Sequence, residues 1–205
     1  TATGFIYHFG YHKNFKENKD YLAAGPTFNA KGACLLTRRK LIEHIGLFDS
    51  DFGAYYEETD FCHRAWVAGY KVFYEPKSII FHLGGADNKA NPPAKIYFDS
   101  FSNRICSLLK NLELKNIMLF MPWHLLFCQI LAVAKMLSGR FDCGWAIERA
   151  IINNIRNLPR TLKKRRIIQN KLRQRSDEEI FHLVKKDPRL SYYYYLFKGL
   201  ENFHD

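Results

Sequence analysis

The chain has 205 residues, 47% of them hydrophobic and 16% aromatic, which is too apolar for a disordered protein and long enough for one domain or one and a fraction. Its formal net charge of +11 is unevenly spread: between Arg140 and Arg175 only Asp142 and Glu148 are acidic, whereas the stretch from Glu43 to Asp60 is acid-rich. A basic block of this kind points to a polyanionic partner, and composition leaves nucleic acid and anionic lipid both open.

Residues 1–30 are turn-rich and aromatic, punctuated by Gly4, Gly10, Gly25 and Pro26, and read as irregular loops. The apolar run 33–36 suits a buried strand. Thr37 is placed to cap a helix over 38–45 that Gly46 closes. A second helix is predicted over 58–68 with Gly69 as its stop, followed by strands over 70–74 and 78–82 on either side of Glu75-Pro76. Residues 83–94 read as a flexible loop. Beyond Lys95 the pattern is helical, over 95–112, 116–137, 141–157, 160–175 and 177–186. Ser176-Asp-Glu-Glu179 is a capping box, and Tyr192–Tyr195 an aromatic run on what reads as a final helix.

Cys34, Cys62, Cys106, Cys128 and Cys143 show no CxxC spacing and an odd count. They read as reduced thiols in a cytosolic setting and exclude a disulfide framework or zinc ribbon. The chain begins at Thr1 without Met or a signal-peptide pattern, and is expected to be a piece of something longer.

The chemistry-bearing residues cluster between Gly32 and His82. Glu57, Glu58 and Asp60 fall in the first turn of the second predicted helix, where the helix dipole favours negative charge. They read either as ordinary first-turn acids or as a site in which one carboxylate faces a cleft and its neighbour supports it. Mutual repulsion would raise one pKa, as suits a general base. His82 leaves an apolar strand for a Gly-Gly loop, a position open to a metal ligand or a surface histidine.

The run from Gly32 to His82 resembles the acceptor half of family-2 glycosyltransferases, especially the bacterial rhamnosyltransferase-like members. The matching features are Gly32-Ala33, Arg38-Arg39, Gly46-Leu-Phe-Asp49 with Phe52, Tyr56-Glu57-Glu58-Thr59-Asp60 with Arg64, Ala68-Gly69-Tyr70 and the strand ending in His82. Weaker similarity reaches Gly4-Phe5, Gly10, Tyr97, Asn103-Arg104 and Lys110-Asn111. The resemblance implies an α/β fold, the acceptor half of a GT-A domain over 1–90, joined by a linker and connecting helix over 91–112 to a helical membrane-associated tail over 113–205. It implies an inverting transfer from a nucleotide-sugar donor to a lipid-linked glycan acceptor in surface polysaccharide synthesis. Glu58 falls on the catalytic base with Glu57 beside it, Tyr56, Asp60 and Arg64 on acceptor-binding or supporting positions, and His82 on a ligand of a divalent Mg or Mn ion. Glu58 stands where the family usually has Asp, which moves the carboxylate by about one methylene in a site where positioning matters.

The metal-binding Asp-x-Asp of such enzymes sits on a strand edge. Asp49-Ser-Asp51 follows a helix end and is not assigned that role, so the nucleotide-binding half is expected to be absent and the chain inactive by itself. The stretch 117–137 is apolar and near bilayer-spanning length, but Pro122, His124, Gln129 and Lys135 favour a helix lying in the plane. With the basic block beside it, the chain is expected on the cytoplasmic face of a bacterial plasma membrane, peripheral or monotopic, against an anionic surface and not nucleic acid. The alternatives are a non-catalytic membrane scaffold of the same fold and a basic nucleic-acid-binding protein.

Overall fold

A computed structural model describes residues 1, 3–7, 19–82, 91–186 and 191–192. The chain is mostly helical. In order come α1 (Arg39–Ile45), α2 (Glu57–Val67), α3 (Pro93–Asn111), α4 (Leu114–Leu137), α5 (Phe141–Arg156), α6 (Leu158–Ile167), a π-helical turn (Ile168–Leu172) and α7 (Asp177–Val184). Two strands of two residues each, β1 (Gly25–Pro26) and β2 (Phe73–Tyr74), pair antiparallel. The Gly84-Gly85 loop, Gly10 and the end of the tyrosine run lie outside the described residues.

Apart from the one expected over 160–175, the predicted helices form within about two residues of their expected bounds, several of them on local punctuation. Gly46 adopts φ 80° and returns its N–H to the Ile42 carbonyl, and Gly69 closes α2 at φ 87°. Ser176 and Glu179 make the reciprocal capping box that opens α7. The one failed cap is Thr37: the first helix starts at Arg39 with no side-chain cap, and the buried Thr37 hydroxyl has no hydrogen-bond partner among the described residues. The expected helix over 160–175 divides, α6 passing into the π turn before the chain extends at Arg173.

The expected strands do not form as read. Gly32–Cys34 is a 3-10 turn closed by the Cys34 N–H on the Lys31 carbonyl, and Leu36 is 97% exposed. Residues 78–82 likewise join no strand, and Phe81 is fully exposed. Apolar runs become strands only where a second backbone completes the ladder. The described residues offer one to Phe73–Tyr74 alone. The two unpaired segments nonetheless lie side by side, Cys34 Sγ being 3.6 Å from Ser78 Oγ.

The packing centres on α3, which was expected as a linker and connecting helix. It packs against α2, α5 and α6, and α5 sits between α3 and α4. One apolar cluster joins Phe5, Phe101 of α3, Cys128, Leu131 and Ala132 of α4, and Ile147 and Ala150 of α5. A second joins Ile45 of α1 to Phe61, Ala65 and Ala68, and a third joins Trp66 and Val67 to Ile168 and Ile180. Trp66 also donates its indole N–H to the Thr27 and Phe28 carbonyls at 3.0 and 3.1 Å, tying α2 to the segment after β1. The starts of α4 and α7 satisfy each other: Asp177 accepts from the Glu113 N–H at 2.7 Å, and Glu113 accepts from the Asp177 N–H at 2.9 Å.

Two predictions follow from this packing. A Cβ on Gly144 would meet the Ala132 carbonyl oxygen and Met136 Cγ, both at 2.6 Å, so α4 and α5 touch only because this residue is glycine. Gly144→Val should cost about 1–3 kcal/mol in urea unfolding; an unchanged midpoint would mean that the helices are not so close. His63, buried on α2 against Phe28, is lowered by burial to about 4. Unfolded histidine titrates near 6.5, so the folded chain binds fewer protons between those values. Stability is therefore fully present above about pH 6.5 and declines as the pH falls towards about 4. His63→Phe should flatten that slope, and a slope that persists would assign it to other groups.

Candidate active site

The candidate site is the approach to α2. Tyr55 and Tyr56 both take left-handed backbone angles, φ 65° and 73°, which non-glycine residues seldom adopt. Asn103 of α3 holds that turn by donating from Nδ2 to the carbonyls of Ala54 at 2.9 Å and Tyr55 at 2.7 Å. Tyr56 is buried, which pushes its phenol up to about 12, and its ring lies 5.5 Å from the Arg104 guanidinium. Arg104 also sits over Phe5 and Phe101, at 4.5 and 5.0 Å. Its Nε and Nη1 are buried without hydrogen-bond partners among the described residues. The turn thus delivers Glu57 and Glu58 directly into the first turn of α2.

Beneath them lies Asp60, fully buried. Its carboxylate pairs with Arg64 at 2.9 Å and Lys110 at 3.0 Å, and accepts from Ser107 Oγ at 2.9 Å and Asn111 Nδ2 at 2.8 Å. Arg64 continues to the Ile45 and Leu47 carbonyls, at 2.6 and 2.8 Å, and so fixes the end of α1. Burial alone would raise the Asp60 pKa; the two cations outweigh it and hold the carboxyl below its ordinary value. Asp60 and Arg64 are both buried, with their charges met within the fold.

The Asp49-Ser-Asp51 string is likewise engaged. Asp49 is bridged by Lys110 and Lys164, and Asp51 by Lys164 and Arg160. Despite partial burial, Lys110 and Lys164 hold Asp49 well below its usual range. Two acids already neutralised by ammonium groups are poor metal ligands, which agrees with withholding the metal role from this string. The same contacts show where part of the basic block is spent. Arg165, Gln169 and Arg173 cap the C-terminal carbonyls of α3, Arg165 reaching Leu109 at 2.7 Å and Gln169 reaching Asn111 at 2.9 Å. Sequence reading treated this block as a surface for partners. The facing acids of 43–60 were the available signal that some of it folds inward.

Glu57 and Glu58 differ from these acids. Asp49, Asp51 and Asp60 each hold at least one cation, whereas neither glutamate joins an ion pair among the described residues. Burial raises the Glu58 pKa above its ordinary value, its own backbone N–H opposes that, and Glu57 adds to the rise. Gly32 lies beside it, its Cβ position 3.9 Å from Glu58 Cβ. Glu57 Oε2 is buried with no hydrogen-bond partner among the described residues. A half-buried carboxylate of raised basicity beside an unsatisfied one can take a proton from a hydroxyl.

His82 is exposed at the edge of the described residues. No three His, Cys, Asp or Glu side chains come together as a metal site among those residues. The apolar helix expected over 117–137 is α4, 24 residues long and apolar enough to cross a membrane by length and composition. Comparison with known proteins yields no matching family model, curated relative or solved structure.

The network makes a prediction with an internal control. Asp60→Asn leaves Arg64 buried without a carboxylate and Lys110 with Asp49 alone, and should cost about 3–5 kcal/mol in denaturant unfolding. Glu43→Gln breaks the Arg39–Glu43 pair, whose side chains are 92% and 61% exposed, and should cost at most about 1 kcal/mol. Equal losses would remove Asp60 from its central place.

Proposed function

We propose that the chain supplies the acceptor half of an inverting GT-A glycosyltransferase, with Glu58 as general base. The observation that carries this reading is the contrast among the clustered acids. Three are neutralised by cations and build the support, while Glu57 and Glu58, at the mouth of a strained turn, join no ion pair among the described residues. In the proposed reaction a sugar hydroxyl approaches Glu58. As its oxygen bonds to the anomeric carbon of a nucleotide-sugar, the bond to the nucleoside diphosphate breaks and the diphosphate leaves with that electron pair. The hydroxyl proton passes to the Glu58 carboxylate, and the sugar inverts in one displacement. Burial around Glu58 strengthens its basicity, and the fixed Tyr55–Tyr56 turn limits its motion.

The Mg or Mn ion assigned to His82 requires carboxylates beyond the described set, so no step here passes through it. The proposed location is the cytoplasmic face of a bacterial membrane, where a lipid-linked glycan acceptor would be presented. The nucleic-acid alternative loses weight because Lys164, Arg165 and Arg173 are engaged within the fold and Arg160 pairs with Asp51.

In an enzyme carrying this chain together with a nucleotide-binding half, Glu58→Gln should lower the transfer rate about 10²- to 10⁴-fold. Donor affinity and the unfolding midpoint should stay unchanged. Near-normal turnover by that variant would take the base role away from Glu58.

A further inference from the structure

The outer surfaces of α4 and α5 are apolar where a helical hairpin in water would be polar. α4 exposes Trp123, Leu126 and Ile130, and α5 exposes Phe141, Trp145 and Ile152; Trp123 and Trp145 are 56% and 55% exposed. Both helices turn their inner faces to the same Phe5–Phe101 cluster, and the exposed Gln129–Glu148 hydrogen bond joins them at the surface. We propose that this two-helix face is a monotopic membrane-docking surface, seated in the plane of an anionic phospholipid bilayer, and that α4 does not cross it.

Three observations select lipid and this orientation. Residues 114–167 hold ten basic side chains and two acidic ones, Asp142 and Glu148, which complements an anionic surface. Arg156, Lys163 and Arg166 are exposed and hold no acid among the described residues, so their charge remains available after the internal pairing is counted. The inner side of α4 is polar where crossing would require lipid. Asn116 donates to buried Asp177 at 2.8 Å, and buried His124 donates from Nδ1 to the Thr3 carbonyl at 2.9 Å. A spanning α4 would either strip away these partners or drag Glu148, Arg149 and Asp177 into hydrocarbon. Lying flat, the helix keeps them and buries only its apolar side. The two exposed indoles then rest at headgroup level, where an apolar ring with one polar N–H is best accommodated.

This inference deepens the membrane location proposed above and is independent of the transfer chemistry. Its test is tryptophan quenching by phosphatidylglycerol–phosphatidylcholine vesicles with bromines near either the glycerol ends or the methyl ends of the acyl chains. Trp123→Phe and Trp145→Phe isolate each exposed indole, and fully buried Trp66 is the internal reference. Both exposed tryptophans should be quenched at least about twofold more by the shallow bromines, as an insertion depth of about 5–10 Å requires. Trp145→Glu, at an exposed position that leaves the core intact, should lower vesicle partition about tenfold. Deep quenching of Trp123 with none at Trp145 would mean a crossing helix, overturning this inference while sparing the membrane location. Absence of vesicle binding would overturn both. A dimer in lipid-free buffer together with unquenched tryptophans would assign the face to a second copy of the chain. Glu58→Gln turnover bears on none of these outcomes.

Discussion

An ionised carboxylate at the centre of a helical protein is tolerable only when its lone pairs and charge are fully met. Asp60 is met from two directions, by Arg64 one turn along α2 and by Ser107, Lys110 and Asn111 on α3. That requirement fixes how α2 and α3 face each other. It also fixes where the candidate base stands, because Glu58 lies half a turn from Asp60 on the same helix. Asn103, on the same face of α3, secures the turn that precedes Glu57. The support and the candidate chemistry therefore draw on one pair of helices. Moving α3 would loosen both.

The charge distribution takes on a different meaning once the contacts are known. The net excess of positive charge remains, but it is not all on offer to partners. Lys110 and Lys164 bind the Asp49 carboxylate between them, and the guanidinium groups of Arg165 and Arg173 serve the end of α3. The remaining exposed cations flank the apolar helices. A protein can thus be strongly basic for two unrelated reasons, one internal and structural, the other facing outwards.

Helices were the legible part of the sequence, because their punctuation is local. Gly46, Gly69 and the Ser176–Glu179 box each act within a turn of the residues they delimit. Strands were poorly legible because they depend on a partner far along the chain: Phe73 pairs with Pro26, and the similarly apolar Leu36 and Phe81 pair with nothing among the described residues. Glu57, Glu58, Asp60 and Arg64 stood out as a motif, but the division between unpaired acids and buried support was set by Lys110, fifty positions later on another helix. The left-handed pair at Tyr55–Tyr56 carried no sequence signal at all, since neither residue is one that prefers that conformation.

The span of the ionic contacts also sets an order on the ribosome. Asp49 emerges 61 residues before Lys110 and 115 before Lys164, its two cationic partners. At a synthesis rate of about 5–20 residues per second, the second partner lags by roughly 6–23 s. Through that interval α1 and α2 can coil, Asp60 can find Arg64 and Asp49 can meet Lys110, but Asp51 still lacks Arg160 and Lys164. The amino-terminal third of the chain consequently waits for its last third, and a nascent chain halted near α5 would carry Asp51 in an open, hydrated form.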